Sequence, residues 1–167
     1  TGDILLQRET DIGPDETAGE LAARLAELGA DVLMDTLILH SAGFLQRKPQ
    51  DEALATKCRT LKKEDGKLDF SLPAQRVHDH VRGMNPWPGA FALLSGEPLK
   101  IWRTRTTDDC GRDDRVCGEL FGSDRTGLFV RCADRMLEIL ELQTAGGKRL
   151  DGKTFLRGCN IAGRVLA

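Results

Sequence analysis

Asn85-Pro86-Trp87-Pro88-Gly89-Ala90-Phe91-Ala92-Leu93-Leu94 holds the chain's sharpest change of character. Two prolines fix φ and remove two amide donors, so residues 85–89 can be neither helix interior nor central strand. They read as a rigid elbow. Upstream, Leu72, Val77 and Val81 share one helical face and Gly83 follows them, which predicts a helix over 72–83. Downstream, Ala90–Leu94 is the first of five strand candidates, followed by Pro98–Thr106, Val116–Phe121, Gly127–Cys132 and Met136–Gln143. Turns rich in Gly, Asp and Ser separate them, among them Thr107–Asp114. In the last strand, Leu137 alternates with Ile139 and then Leu140 with Leu142. This spacing predicts a small five-stranded antiparallel barrel. A short helix over Gly152–Arg157, capped by Asp151 and stopped by Gly158, closes the module.

Toward the N-terminus the pattern is different. Gln46–Arg59 mixes Gln, Lys, Pro, Asp and Glu without periodicity and reads as a linker. Before it, Thr17-Ala18-Gly19-Glu20 fits a capping box. Leu21, Leu25 and Leu28 then follow at helical spacing, and Gly29 is placed to end that helix. A second helix over Asp31–Ser41 would complete a helical hairpin, the tail of a larger α/β domain. Ile4–Glu9 reads as a strand end, and Asp3 before it as a cap or turn residue, with a catalytic Asp of a truncated site as the alternative. The start at Thr1-Gly2-Asp3-Ile4, without Met and straight into strand-like sequence, reads as a cut in a longer chain.

Composition narrows the function classes. The chain is 40% hydrophobic and 30% charged, values ordinary for a soluble globular protein. Apolar runs such as Leu37-Ile38-Leu39 are too short to span a bilayer, and no signal peptide opens the chain. The five cysteines (Cys58, Cys110, Cys117, Cys132 and Cys159) form no C-x-x-C pair, so free, mostly buried thiols are expected rather than disulfides or zinc. Residues 1–59 carry six Lys/Arg against eleven Asp/Glu, a balance of −5. Residues 60–167 carry eighteen against fifteen, a balance of +3. A sign change of this kind suggests two modules with different partners.

No catalytic constellation appears. His40, His78 and His80 read as surface or cap positions, and the latter two point to different helical faces. No metal-ligand pattern, nucleophile elbow or phosphate loop is present. What stands out is a basic set on the second module: Lys62, Lys63, Lys100, Arg103, Arg105, Lys148, Arg149, Lys153 and Arg157. Arg103 and Arg105 share a strand face, and Lys153 and Arg157 share a helical face. Small barrels commonly bind nucleic acid through such faces. Asp108, Asp109, Asp113 and Asp114 temper the charge. With no Tyr, and Trp87 and Trp102 assignable to a core, phosphate and shape contacts would dominate.

Several ordered stretches resemble the methionyl-tRNA formyltransferase family. They are Thr1–Gln7, Asp15–Leu21 with Leu28-Gly29-Ala30, Lys63–Phe70, Val81–Ala90, Leu142–Arg149 and Phe155–Gly158. Val81-Arg82-Gly83-Met84-Asn85-Pro86-Trp87-Pro88-Gly89-Ala90 is the most specific. The resemblance implies an α+β chain in three parts. Residues 1–44 would be the carboxy-terminal remnant of a Rossmann-like formyltransferase domain, 45–61 a linker, and 62–167 an OB-like tRNA-binding domain. It further implies 10-formyltetrahydrofolate as donor, initiator methionyl-tRNA as partner, a monomeric full-length protein and a cytoplasmic setting. The family's catalytic Asn, His and Asp fall upstream of this chain, so the chain alone is expected to be inactive. Cys117-Gly118 stands where the family commonly has Pro-Gly, and Arg149-Leu150 where a basic residue and Met are common. The alternative left open is a barrel with a structural or oligomerisation role in a sugar or folate formyltransferase.

Overall fold

The computed structural model describes residues 2–108 and 114–167. Expectations for Thr1, Asp109, Cys110 and Asp113 fall outside the described residues. The chain divides into two compact units, Thr1–Thr60 and Leu61–Ala167.

In the first unit the expected hairpin is a single helix, α1, running Ala18–Ser41. Thr17 caps it: its hydroxyl oxygen accepts from the Glu20 amide, and the Glu20 carboxylate accepts from the Thr17 amide. Gly29 does not end the helix. A glycine costs a helix interior about 1 kcal/mol. Breaking the helix there would forfeit several backbone hydrogen bonds and require a new N-cap. No residue of α1 is buried, and Leu25, Leu33, Met34, Leu37 and Ile38 are exposed. The expected strand end is reduced to one antiparallel bridge, Ile4 with Lys48.

The second unit is a six-stranded antiparallel sheet with helices α2 (Ala74–Gly83) and α3 (Gly152–Gly158). Its strands are β1 (Ala90–Leu94), β2 (Glu97–Thr106), β3 (Leu120–Ser123), β4 (Gly127–Arg131), β5 (Met136–Thr144) and β6 (Arg149–Asp151). The order is β1-β2-β5-β4-β3, with β6 also pairing β5. Five strands were expected; β6 is the addition, too short to show alternation in sequence. β3 starts at Leu120 rather than Val116, because Gly118 turns there with φ +86 and its Cα lies against the Leu166 carbonyl. Leu140 falls at a register irregularity and stays half-buried, leaving Leu137, Ile139 and Leu142 to face inward. The core gathers these with Leu99, Ile101, Leu120, Leu128, Val130, Val77, Val81 and Phe155. Arg164–Ala167 hydrogen-bonds to Gly118 and Leu120 on one side and to Leu93 of β1 on the other. Burial pushes the Cys132 thiol up to about 12, so it is chemically inert. Cys58 and Cys117 are exposed, contrary to the expectation of buried thiols.

Two histidines expected at surface or cap positions instead tie α2 down. His78 is buried, with Nδ1 3.0 Å from the Thr104 hydroxyl of β2. His80 Nε2–H donates to the Asp65 carbonyl at 2.7 Å. The start of α2 is held from a distance. Pro73 at the N-cap offers no side-chain acceptor, and Asp134 in the β4–β5 turn accepts from the Ala74 amide at 2.7 Å. That bond, helped by Arg135, holds the Asp134 carboxyl below the usual carboxylate range. A depressed folded value means full stabilisation above the unfolded pKa, near 4, and loss as pH falls through the folded value. Asp134→Ala is therefore expected to lower the melting temperature by about 4 °C at neutral pH. The gap between variant and parent should narrow in scans at pH values below the ordinary carboxylate range, as Asp134 takes up its proton. An equal gap at both pH values would show that the carboxylate charge plays no part.

Candidate nucleic-acid interface

The basic residues are organised by a turn, a bulge and an elbow. Gly147 N–H donates to the Thr144 carbonyl, and the turn between them needs Gly146 at φ +69. A Cβ on Gly147 would sit 2.4 Å from the Thr144 hydroxyl. This tight reversal returns Lys148 and Arg149 along β5. Register then places Lys100, Gln143 and Arg149 in one row across β2, β5 and β6.

Trp102 lies beneath that row. The pairing shifts between Ile101 and Arg103, and both Ile101 and Trp102 are buried, which simple alternation does not allow. The indole Nε1–H donates to Gln143 Oε1 at 3.1 Å, and Gln143 Nε2 donates to the Gly147 carbonyl at 2.9 Å. Arg149 stacks over the ring with Cζ 3.7 Å from its centroid, and Lys100 Nζ lies at 5.4 Å. The elbow grips the same residue: Asn85 Nδ2 donates to the Trp102 carbonyl, and Gly89 lies against the benzo edge. Trp87 stands out from the elbow, 55% exposed.

The other candidates distribute as follows. Lys62 and Lys63 are exposed on a 3-10 turn (Lys63–Gly66) that packs on the elbow, with Gly66 directly against the Gly89 carbonyl. Lys148 is exposed in the loop before β6. Lys153 and Arg157 are exposed on α3, which Gly152 brings close to the Ile139 carbonyl and which Phe155 anchors in the core. Arg103 is exposed opposite Glu141. Arg105 differs from the rest: its Nε and Nη2 both donate to Glu138 Oε2, at 2.9 and 2.6 Å. Lys100, Lys148, Arg149, Lys153 and Arg157 have no carboxylate partner among the described residues. Among those residues, too, no cluster of His, Cys, Asp or Glu could hold a metal ion.

Sequence reasoning missed Trp102 and Gln143 as the support of this basic row. Assigning both tryptophans to the core was half right, since only Trp102 is buried. The available signal was Lys100 two positions before Trp102 on a strand, a spacing that shares a face.

Against this geometry, the sequence profile of the family described as "Formyl transferase, C-terminal domain" matches residues 60–160. The chain belongs to this family. The chain is 45% identical over 162 residues to a methionyl-tRNA formyltransferase of Geotalea uraniireducens, covering 97% of this chain and 50% of that protein. It is 42% identical over 161 residues to the same-named protein of Ruminiclostridium cellulolyticum, covering 96% and 52%. The chain thus spans about half the length of the curated relatives it matches. Among solved structures, a HypX variant from Aquifex aeolicus superposes with a TM-score of 0.66 at 17% identity, over 95% of this chain and 29% of that one. HypX in complex with tetrahydrofolic acid superposes over 75% of this chain, with a TM-score of 0.52 at 15% identity. These two likenesses concern the fold alone. No described helix is long and apolar enough to cross a membrane.

Proposed function

We propose that this chain is the tRNA-docking part of a cytoplasmic methionyl-tRNA formyltransferase. The observation that carries the reading is the identity of 40–45% to proteins of that name over nearly the whole chain. Residues 62–167 form the RNA-binding domain, of OB-like type. The bonds from Arg164–Ala167 to both β1 and the β3 approach support a barrel-like closure. Residues 45–61 link it to residues 1–44, the end of the transferase domain. The unburied apolar residues of α1 support that assignment, since Leu25, Leu33, Leu37 and Ile38 need a covering surface.

In this reading Lys62, Lys63, Lys100, Lys148, Arg149, Lys153 and Arg157 neutralise phosphates and set the orientation of initiator methionyl-tRNA. Formyl transfer from 10-formyltetrahydrofolate to the methionyl amine belongs to the stretch of the relatives that this chain does not span. The chain's own residues bind and orient; they move no proton at the reacting amine. The test is a titration of the 167-residue chain with initiator tRNA and with duplex DNA of equal charge, between about 50 and 200 mM salt. Steeply salt-dependent binding that favours tRNA, with no formyl transfer when the donor is added, is the expected result. Salt-insensitive self-association without tRNA binding would overturn the reading and point to an oligomerisation role.

A further inference from the structure

We propose that Trp102 is a positioning residue, which holds Arg149 and Lys100 as a pre-ordered clamp for the phosphodiester backbone of an RNA strand. The inference rests on the RNA-docking reading above and assigns a role to a residue that makes no RNA contact itself.

Trp102 is 7% exposed and fixed at three points: the indole N–H on Gln143, the benzo edge on Gly89 and the main-chain carbonyl on Asn85. A ring so anchored can set the position of whatever lies on its face. Arg149 occupies that face at 3.7 Å. A guanidinium stacked on an aromatic uses its π face and keeps its N–H edges for a bidentate oxyanion. Such a side chain also gives up less rotamer freedom on binding than one waving in solvent. Lys100, in the same row and 5.4 Å from the ring, adds a second cation beside it. Glu141 and Asp151, two residues along β5 and β6 from that row, make no ion pair with either cation among the described residues. Asp151 is taken up in capping α3 through Thr154. A stacked arginine and a lysine side by side, presented at a bulge, suit phosphate oxygens better than a base edge, because the ring that could stack on a base is already covered.

The test uses the 167-residue chain and an initiator tRNA transcript, with Arg149→Ala, Arg149→Lys, Trp102→Leu and Trp102→Phe. Arg149→Ala is expected to weaken binding about fivefold to tenfold and to reduce the salt slope by about one. Trp102→Leu leaves both cations in place, so it should weaken binding by a similar factor with a slope near wild type. Arg149→Lys keeps the charge, so its slope should stay near wild type while affinity falls by a similar factor. Trp102→Phe, which retains a face to stack on, should bind within about twofold of wild type. The Arg149 Nε–H resonance should show an aromatic ring-current shift in the free chain, a readout that needs no folded Trp102→Leu variant. Wild-type affinity in Arg149→Lys, or no ring-current shift, overturns the positioning role even if tRNA binds. Absence of tRNA binding by the parent chain at low salt, with the ring-current shift present, would instead sink the RNA-docking reading and this inference with it.

Discussion

Gly66→Ala is expected to melt roughly 12 to 20 °C below the parent chain in the unit formed by residues 61–167. Gly66 has no space for even one carbon. A Cβ there would lie 2.1 Å from the Gly89 carbonyl oxygen, a backbone atom that cannot rotate away. The turn would have to lift off the elbow by more than an ångström. That displacement would strain the bond from His80 to the Asp65 carbonyl and the Leu68 amide's bond to the Phe91 carbonyl. Overpacking against a fixed backbone costs about 3 kcal/mol, a large fraction of a small unit's stability. Gly83→Ala serves as the control, because nothing lies within 4 Å of a Cβ at that helical position. Differential scanning calorimetry of both variants decides the matter. Near-parent melting of Gly66→Ala would mean that the Lys62–Lys63 turn is not seated on the elbow. Because Gly89 also backs Trp102, the same variant should disturb the basic row, linking fold stability to docking.

That linkage was only partly legible in the sequence. The elbow was readable because proline acts locally: Pro86 and Pro88, two residues apart, fix φ and remove two amide donors whatever packs around them. Strands β1, β2, β4 and β5 were readable to within a residue at each end, because their flanking turns carry their own chemistry. The long helix α1 was misread as a hairpin. Gly29 looks the same in sequence whether it ends a helix or sits inside one, and the outcome depends on hydrogen bonds its neighbours keep. β6 and the tertiary cap of α2 by Asp134 were beyond reach for a different reason. Both rest on contacts between distant segments, and Asp134 is 60 positions from Ala74. The basic residues could be named but not sorted. Arg105 and Arg149 are equally charged in sequence, and only cross-strand register shows that one meets Glu138 and the other a tryptophan ring.

Replacing Lys148, Arg149 and Lys153 together by alanine should lower tRNA affinity about a hundredfold at low salt and reduce the salt slope by about two to three. Each of these side chains is exposed and without a carboxylate partner among the described residues, so each is available to release a counterion. Arg105→Ala should behave in the opposite way. Its guanidinium already satisfies Glu138, whose side chain is only 12% exposed, so a phosphate would have to compete with that carboxylate. Affinity should change by less than about threefold, while unfolding stability falls by about 1 kcal/mol because Glu138 is left largely desolvated without its cation. Parallel tRNA titrations and urea unfolding of the two variants separate the effects. Equal loss of affinity in both would show that the Arg105–Glu138 pair opens for RNA and that the docking face extends across β2. Full retention of affinity in the triple variant would move the contact away from the β5–β6 loop, toward Lys62 and Lys63 on the turn behind the elbow.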